Sequence, residues 1–145
     1  LKTLIIETAC IEDTAIAQIS EVFMPALEYL ELWFGRSSER CVDTVLESLL
    51  KVFNSELTPN LIYLGLRSCD YANEIAYYIT KSQIIEKLQV LDLSMGSLTD
   101  EGASLLLNCP GVNKLHTLNI SNNCISSEMV EKISQLKCRV IADSQ

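Results

Sequence analysis

Aliphatic residues recur along the chain in a short pattern, L-x-x-L-x-[LI], which appears five times. The pattern starts at residues 1, 27, 61, 88 and 115, so its spacings are 26, 34, 27 and 27 residues. Five matches at near-constant spacing indicate internal repeats of one structural unit. The alternation at the end of each match, as in Leu4 and Ile6 or Leu118 and Ile120, predicts a β-strand with one buried face.

Between these strands, the apolar spacing changes to the period of a helix. The predicted helical stripes are Ile16, Ile19 and Phe23; Val42, Leu46, Leu49 and Phe53; Ala103, Leu106 and Leu107; and Met129, Ile133 and Leu136. A less regular third helix is predicted over residues 74–82. Thr99 and Ser126 precede acidic residues of a first turn and are predicted to cap their helices.

Strands that alternate with helices of this length predict a parallel sheet with the helices on its outer side. One strand cannot bury its own leucines, whereas stacked copies form a continuous core. Because helices are wider than strands, the stack curves and the sheet lines its concave side. We predict one α/β domain over residues 1–145, with five repeats and a closing segment at residues 136–145. The chain begins inside a motif, so we expect it to be a piece of a longer protein.

The repeats also share a position three residues beyond the last aliphatic residue of each strand. It holds small or polar residues: Ala9, Gly35, Cys69, Gly96 and Asn123. The extended pattern resembles the leucine-rich repeat motif L-x-x-L-x-L-x-x-[NC]-x-L, whose Asn/Cys position Cys69 and Asn123 fill. Repeat lengths near 27 resemble the ribonuclease-inhibitor-like subclass. The resemblance implies a right-handed solenoid, or horseshoe, with full helices on the convex face.

The second repeat departs from this motif, because Gly35 and Ser37 replace an Asn/Cys and an aliphatic residue. It is also longer than its neighbours, and the extra length is predicted at residues 35–40 and 54–60. Two strings, in the second and fourth repeats, look similar to bacterial repeat proteins that carry a WGR domain. That similarity implies a bacterial, multidomain parent protein.

Composition narrows the possible functions of such a solenoid. The chain is 48% hydrophobic and 21% charged, which is sufficient to form a packed core. Its net charge of −8 argues against nucleic acid as a partner, since an acidic surface repels phosphates. No apolar run is long enough to predict a membrane span.

The six cysteines show no close pairing and no CxxC motif, and one histidine is too few for a Cys/His zinc site. They are predicted to be buried free thiols, with Cys10 and Cys124 packing beside a turn. Free thiols are typical of a reducing compartment, which favours a cytoplasmic location. A disulfide framework is the alternative.

The residues between the buried leucines are predicted to point out of the concave face. By register, Tyr29 lies beside Tyr63 and Trp33 beside Arg67, while Glu31 and Asp92 share a column. Because Trp, Tyr and Arg are enriched in binding hot spots, an exposed Trp33 beside Arg67 indicates a binding surface. The alternative is a cation–π pair that only covers the sheet. The predicted partner-binding residues are Tyr29, Glu31, Trp33, Tyr63, Arg67 and Asp92.

These observations predict a protein–protein interaction module, or scaffold, that recognises a partner protein with a basic surface. The alternative is a non-catalytic structural or regulatory segment of a larger multidomain protein. No nucleophile–base pair or metal-ligand set stands out in the sequence. No catalytic residue, metal site or cofactor is therefore predicted.

Overall fold

The computed structural model describes residues 1–8, 11, 13–35, 42–54 and 56–145, without the side chains of residues 13 and 42–44. The strands are β1 (Thr3–Glu7), β2 (Tyr29–Trp33), β3 (Tyr63–Arg67), β4 (Val90–Asp92), β5 (Thr117–Asn119) and β6 (Arg139–Ile141). The helices are α1 (Asp13–Ile19), α2 (Val42–Phe53), α3 (Ala72–Lys81), α4 (Asp100–Leu107) and α5 (Ser127–Ile133). Short 3-10 helices cover Gln83–Glu86 and Val112–Lys114.

The strands form an open, six-stranded parallel sheet in sequence order, from β1 to β6. Equivalent leucines of successive repeats lie side by side: Leu30, Leu64, Leu91 and Leu118 are in register and 0% exposed. These leucines build the core between the sheet and the helices. The predicted α/β leucine-rich repeat solenoid is confirmed, and β6 supplies the predicted closing strand.

Two helical predictions need correction at their ends. Phe23 was placed on the buried stripe of the first helix, but α1 ends at Ile19 and Phe23 is 63% exposed. Beyond the helix, the Met24 N–H donates to the Leu57 carbonyl, 2.8 Å away. Leu136 lies beyond the end of α5, although it still packs against the core.

The turns after β4 and β5 depend on the Asn/Cys position. Asn123 is buried; its Oδ1 accepts from the Leu98 N–H at 2.9 Å, and its Nδ2 donates to the Leu93 and Ile120 carbonyls at 3.0 and 2.9 Å. Gly96 is stacked in the same column, where a Cβ would lie only 2.8 Å from the Cys69 carbonyl oxygen. A larger residue does not fit there. The polar side chain therefore bonds backbone groups across repeats, as the motif predicts.

The preceding residue of three turns adopts a left-handed backbone, with φ values of 56° at Ser68, 63° at Met95 and 54° at Asn122. In the second repeat, the left-handed residue comes one position later, at Gly35, with φ of 67°. Phe34 occupies the earlier position, where its ring is buried against the Tyr71 ring. The departure predicted for this turn is therefore a one-residue shift of the left-handed conformation.

The two predicted N-caps behave differently. Ser126 accepts from the Met129 N–H at 3.2 Å and caps α5 as predicted. Thr99 stands at the cap position of α4, but its side chain does not bond the helix backbone. Asn73 of the preceding repeat replaces it, because its Oδ1 accepts from the N–H groups of Thr99 and Gly102 at 3.0 and 3.1 Å.

The described cysteines are free, and Cys69, Cys109 and Cys138 are buried. Cys124 is exposed, so its predicted packing role is wrong. Several sequence predictions fall outside the described residues, namely those on Ala9, Cys10, Ser37, Cys41 and residues 36–40 of the long repeat. Among the helices that the structure describes, none is long and apolar enough to cross a membrane.

Candidate functional site

The predicted site residues lie together on β2, β3 and β4, on the face of the sheet turned away from the buried leucines, which we call the concave face. Tyr29 pairs with Tyr63 and Trp33 with Arg67 across β2 and β3, while Glu31 pairs with Gly65. Gly65 in turn pairs with Asp92 of β4. The register predicted from the repeat is therefore the register observed.

The two tyrosines form a stacked pair on this face. The ring centroids of Tyr29 and Tyr63 are 3.9 Å apart, and the rings are within 8° of parallel. Both side chains are half-buried. Part of both rings remains exposed on this face, and a stacked aromatic pair adds stability beyond the area that it buries.

Glu31 lies beneath these aromatic rings and is 6% exposed. Its Oε2 accepts from the hydroxyls of Tyr29 at 2.5 Å and Tyr63 at 3.1 Å. Its Oε1 accepts from Trp33 Nε1 at 2.6 Å and from Arg67 Nη1 at 3.4 Å. Burial raises the pKa of Glu31, but the hydrogen bonds and the Arg67 charge outweigh it, so the net pKa is below the usual value of 4.5.

Asp92 is the second buried carboxylate of the site. Its Oδ2 accepts from the Tyr63 hydroxyl at 3.2 Å and from Asn119 Nδ2 at 3.1 Å, and its Oδ1 accepts from the Ser94 N–H at 2.9 Å. Burial raises the pKa of Tyr63 well above its usual value, so its hydroxyl stays protonated, and its single proton is shared between the Glu31 and Asp92 carboxylates. Asp92 and Glu31 are thereby joined through one phenol.

Trp33 and Arg67 form the third part of the site. The guanidinium carbon of Arg67 lies 4.1 Å from the centroid of the Trp33 ring, a cation–π arrangement. Arg67 Nε donates to Ser94 Oγ at 3.0 Å and lies 3.9 Å from Asp92 Oδ2. Trp33 is half-buried rather than fully exposed, because Arg67 covers one ring face and Glu31 accepts its indole N–H. This geometry is the one expected for the alternative interpretation, in which a cation–π pair only covers the sheet.

Three further residues complete the network, although the sequence did not single them out. Asn119 and Ser94 bond the Asp92 carboxylate or the Arg67 side chain, as described above. Gly65 leaves room for the Tyr63 ring, since a Cβ there would lie 3.0 Å from Tyr63 Cε1 and 3.0 Å from Glu31 Cγ. They could have been predicted from the strand register, because they lie in the same columns as Arg67 and Asp92.

The arrangement holds side chains in place rather than offering a reactive group. All four carboxylate oxygens of Glu31 and Asp92 accept hydrogen bonds from the chain itself. Within the described ranges, no group of three or more potential metal ligands occurs. The site presents two stacked tyrosines and a tryptophan–arginine pair, fixed from below by buried carboxylates.

The comparisons with known proteins agree with this architecture. A family model described as Leucine Rich repeat matches residues 86–107 and 113–134. The chain carries leucine-rich repeats. Such repeats generally mediate protein–protein interactions, and the family is generally non-catalytic.

A solved structure supports the same fold over the whole chain. The crystal structure of a Bacteroides fragilis protein matches with a TM-score of 0.88 and 29% sequence identity. The match covers 100% of this chain and 42% of that one, so the leucine-rich repeat chain spans less than half of its relative's length. No curated protein matches the sequence.

Proposed function

We propose that this leucine-rich repeat chain is a protein–protein interaction module that binds its partner on the concave face. The observation that supports the proposal is the fixed ridge formed by Tyr29, Tyr63, Trp33 and Arg67, which is half-buried and held by carboxylates beneath it. Interface hot spots are enriched in these three residue types. We call these four residues the concave ridge.

A preorganised surface loses little side-chain entropy when it binds. Each member of the concave ridge is already restrained, because Glu31 accepts from all four side chains. Asp92 adds a second acceptor beneath Tyr63. In this proposal, the ridge contacts the partner, while Glu31 and Asp92 keep the ridge in its binding geometry.

The charge of the site favours a partner with a basic surface. Glu31 and Asp92 carry two negative charges, and Arg67 lies within 4.0 Å of both as their shared cation. Glu7, in the same column as Trp33, is exposed and adds a negative charge at the rim. The chain as a whole has a net charge of −8, which would steer a basic protein towards it.

Affinity capture from a lysate of the source cells tests this proposal. The bait variant Trp33→Ala/Arg67→Glu removes the tryptophan–arginine pair of the ridge, and circular dichroism must show that it folds. The control Leu50→Ala/Lys51→Glu changes an exposed apolar residue and an exposed cation on α2, away from the sheet. We expect a partner retained by the wild type and the control but lost from the ridge variant. Equal recovery of the partner with the ridge variant would exclude the concave ridge as the binding site.

A second candidate function is a non-catalytic structural or regulatory segment of a larger protein. The length of the Bacteroides fragilis relative favours it, since the match covers 42% of that chain. The closed hydrogen-bond network also favours it, because the concave ridge is satisfied without a partner. Failure of every bait to retain a specific protein would support this second function. Both candidates include a cytoplasmic location, which the free described cysteines favour.

A further inference from the structure

A separate groove lies on the convex side, between α3 and α4. Its volume is about 240 Å³, and it is lined by Asn73, Glu74, Tyr77, Tyr78, Glu101 and Leu105. Residues four apart lie on one helical face. Asn73 and Tyr77 form one such row on α3, and Glu74 and Tyr78 form another. Both rows face the row of Glu101 and Leu105 on α4. The groove is wide enough for a single side chain of another molecule.

The floor of this α3–α4 groove is held by hydrogen bonds between the two helices. Asn73 Oδ1 accepts from the backbone of α4, and Asn73 Nδ2 donates to Thr99 Oγ1 at 2.8 Å. Gly102 lets the helices approach closely, since a Cβ there would lie 2.5 Å from Asn73 Oδ1. The groove is thus a fixed feature of the contact between two repeats.

The groove carries negative charge that the chain does not neutralise. Glu74 and Glu101 are both exposed, and neither forms an ion pair within the residues that the structure describes. They lie on opposite walls, one on α3 and one on α4. Two carboxylates that line one groove favour a cationic occupant.

The aromatic wall of the groove is formed by Tyr77 and Tyr78. The rings of Tyr77 and Tyr78 are 5.2 Å apart and nearly perpendicular, at 83°. Lys81, which does not line the groove, already places its Nζ 3.8 Å from the Tyr77 ring centroid and donates to the Tyr77 hydroxyl. An ammonium group is attracted by the negative face of an aromatic ring. The Tyr77 ring is therefore engaged by an ammonium of the chain itself, and Tyr78 and Leu105 remain as the apolar wall for an occupant.

We propose that the α3–α4 groove is a second interaction site, which binds a lysine side chain of a partner protein. The aliphatic part of the lysine packs against Leu105 and Tyr78, as amphipathic side chains do on apolar surfaces. Its ammonium lies between Glu74 and Glu101. This site is separate from the concave ridge, because it faces the opposite side of the solenoid.

Nuclear magnetic resonance titration with a capped Ala-Lys-Ala tripeptide tests the proposal on the isotope-labelled chain. The reference peptide replaces the lysine with norleucine, which keeps the aliphatic chain and removes the charge. We expect saturable shifts of the α3 and α4 amides with the lysine peptide alone. Glu101→Gln should weaken binding about 3- to 5-fold, the effect of losing one exposed ion pair. Glu74→Gln should weaken it to a similar extent, since the carboxylate on the facing wall is removed.

The matched control is Glu131→Gln on α5, which makes the same charge change on an exposed helix outside the groove. It should leave the affinity unchanged, and so should Trp33→Ala/Arg67→Glu on the concave face. Equal shifts with the norleucine peptide would overturn the proposal. Equal weakening by Glu101→Gln and Glu131→Gln would also overturn it, because attraction to the overall negative charge would then explain the binding. Neither result affects the concave ridge.

Discussion

A single buried carboxylate organises the concave face at the residue scale. Glu31 accepts four hydrogen bonds from side chains of its own strand and the next one, as described above. Hydrogen bonds to a charged acceptor are shorter and stronger than those between neutral groups. Because the four donors are the members of the concave ridge, the geometry of the proposed binding surface depends on the ionised state of Glu31.

Replacement of Glu31 by Gln should lower the free energy of unfolding at neutral pH by about 1–3 kcal/mol, the usual effect of leaving buried donors unsatisfied. The pKa of Glu31 is lowered in the folded state, so its ionised form stabilises the fold above pH 4.5. This stability is lost as the pH falls below 4.5 and through the folded pKa. The difference between wild type and Glu31→Gln should therefore narrow in that range, as measured by urea unfolding at a series of pH values.

The control for this experiment is Glu131→Gln, which removes an exposed carboxylate of α5. Its effect should stay within about 0.5 kcal/mol at neutral pH, as is usual at a solvated surface. If the difference in the free energy of unfolding between wild type and Glu31→Gln instead stays constant as the pH falls below 4.5, that result contradicts the inferred ionisation of Glu31.

Asn123→Ala tests the repeat turn at the same scale. The substitution leaves the Leu98 N–H and the Leu93 carbonyl without their buried partner, while the Ile120 carbonyl keeps a hydrogen bond from Gln145 Nε2 at 3.0 Å. We expect a loss of about 2–4 kcal/mol in the free energy of unfolding, since more than one buried group loses its bond. Asn108→Ala is the matched change at an exposed site and should cost less than about 1 kcal/mol. Similar losses for both variants would show that the buried turn network contributes little.

At the scale of secondary structure, each helix start in the second half of the chain is fixed partly by the preceding repeat. Asn73 of α3 bonds the first turn of α4, as described for the groove floor. Asp100 of α4 accepts from the Ser126 N–H and from the Ser126 hydroxyl, both at 2.7 Å. These bonds tie successive repeats together on the convex side, while the leucine columns tie them together in the core.

Gly102→Ala distinguishes this inter-repeat contact from local helix preference. Helix propensity alone predicts that Ala stabilises α4 by about 1 kcal/mol relative to Gly. The new Cβ would, however, lie 2.4 Å from Leu98 Cδ1 and 2.5 Å from Asn73 Oδ1. We therefore expect destabilisation by about 1–3 kcal/mol in urea unfolding. Ser104→Ala, on the same helix, should change stability by less than about 1 kcal/mol. Stabilisation by Gly102→Ala would show that the added Cβ fits between the two repeats without loss of stability.

The order and register of the elements could be predicted because they depend on a local, repeated signal. One leucine spacing places Leu30 beside Leu64, and the same spacing places Trp33 beside Arg67. The Asn73 cap could not be predicted, because it joins residues 26 positions apart that share no motif. The half-burial of Trp33 was missed for a similar reason, since it depends on how the Arg67 and Glu31 side chains turn towards the indole.

The solenoid as a whole is consolidated unevenly along its length. In β1, Leu4 and Ile6 are only half-buried, and Ile5 is 53% exposed. Leu91 and Leu118, which occupy the position of Leu4 in later strands, are fully buried. In the described residues, β1 is paired on one side, by β2, whereas β2 to β5 are paired on both. In repeat proteins, stability is approximately a sum over units and their contacts with neighbours.

Native-state hydrogen exchange should reveal this gradient. The backbone amides of Leu4 and Ile6 should exchange through local opening at a free energy below that of global unfolding, because opening β1 breaks the contacts of one strand with one neighbour. The amides of Leu64 and Leu91 should exchange only through the larger opening, since their strands are held on both sides. Measuring each amide at increasing low concentrations of urea separates the two classes by their denaturant dependence.

If the β1 amides show the protection and urea dependence of the β4 amides, the solenoid unfolds as one cooperative unit, and the difference in burial between β1 and β4 has no energetic consequence. If β1 opens first, the exposed Ile5 and Glu7 lie on the labile strand, while the concave ridge remains on strands that stay paired to each other.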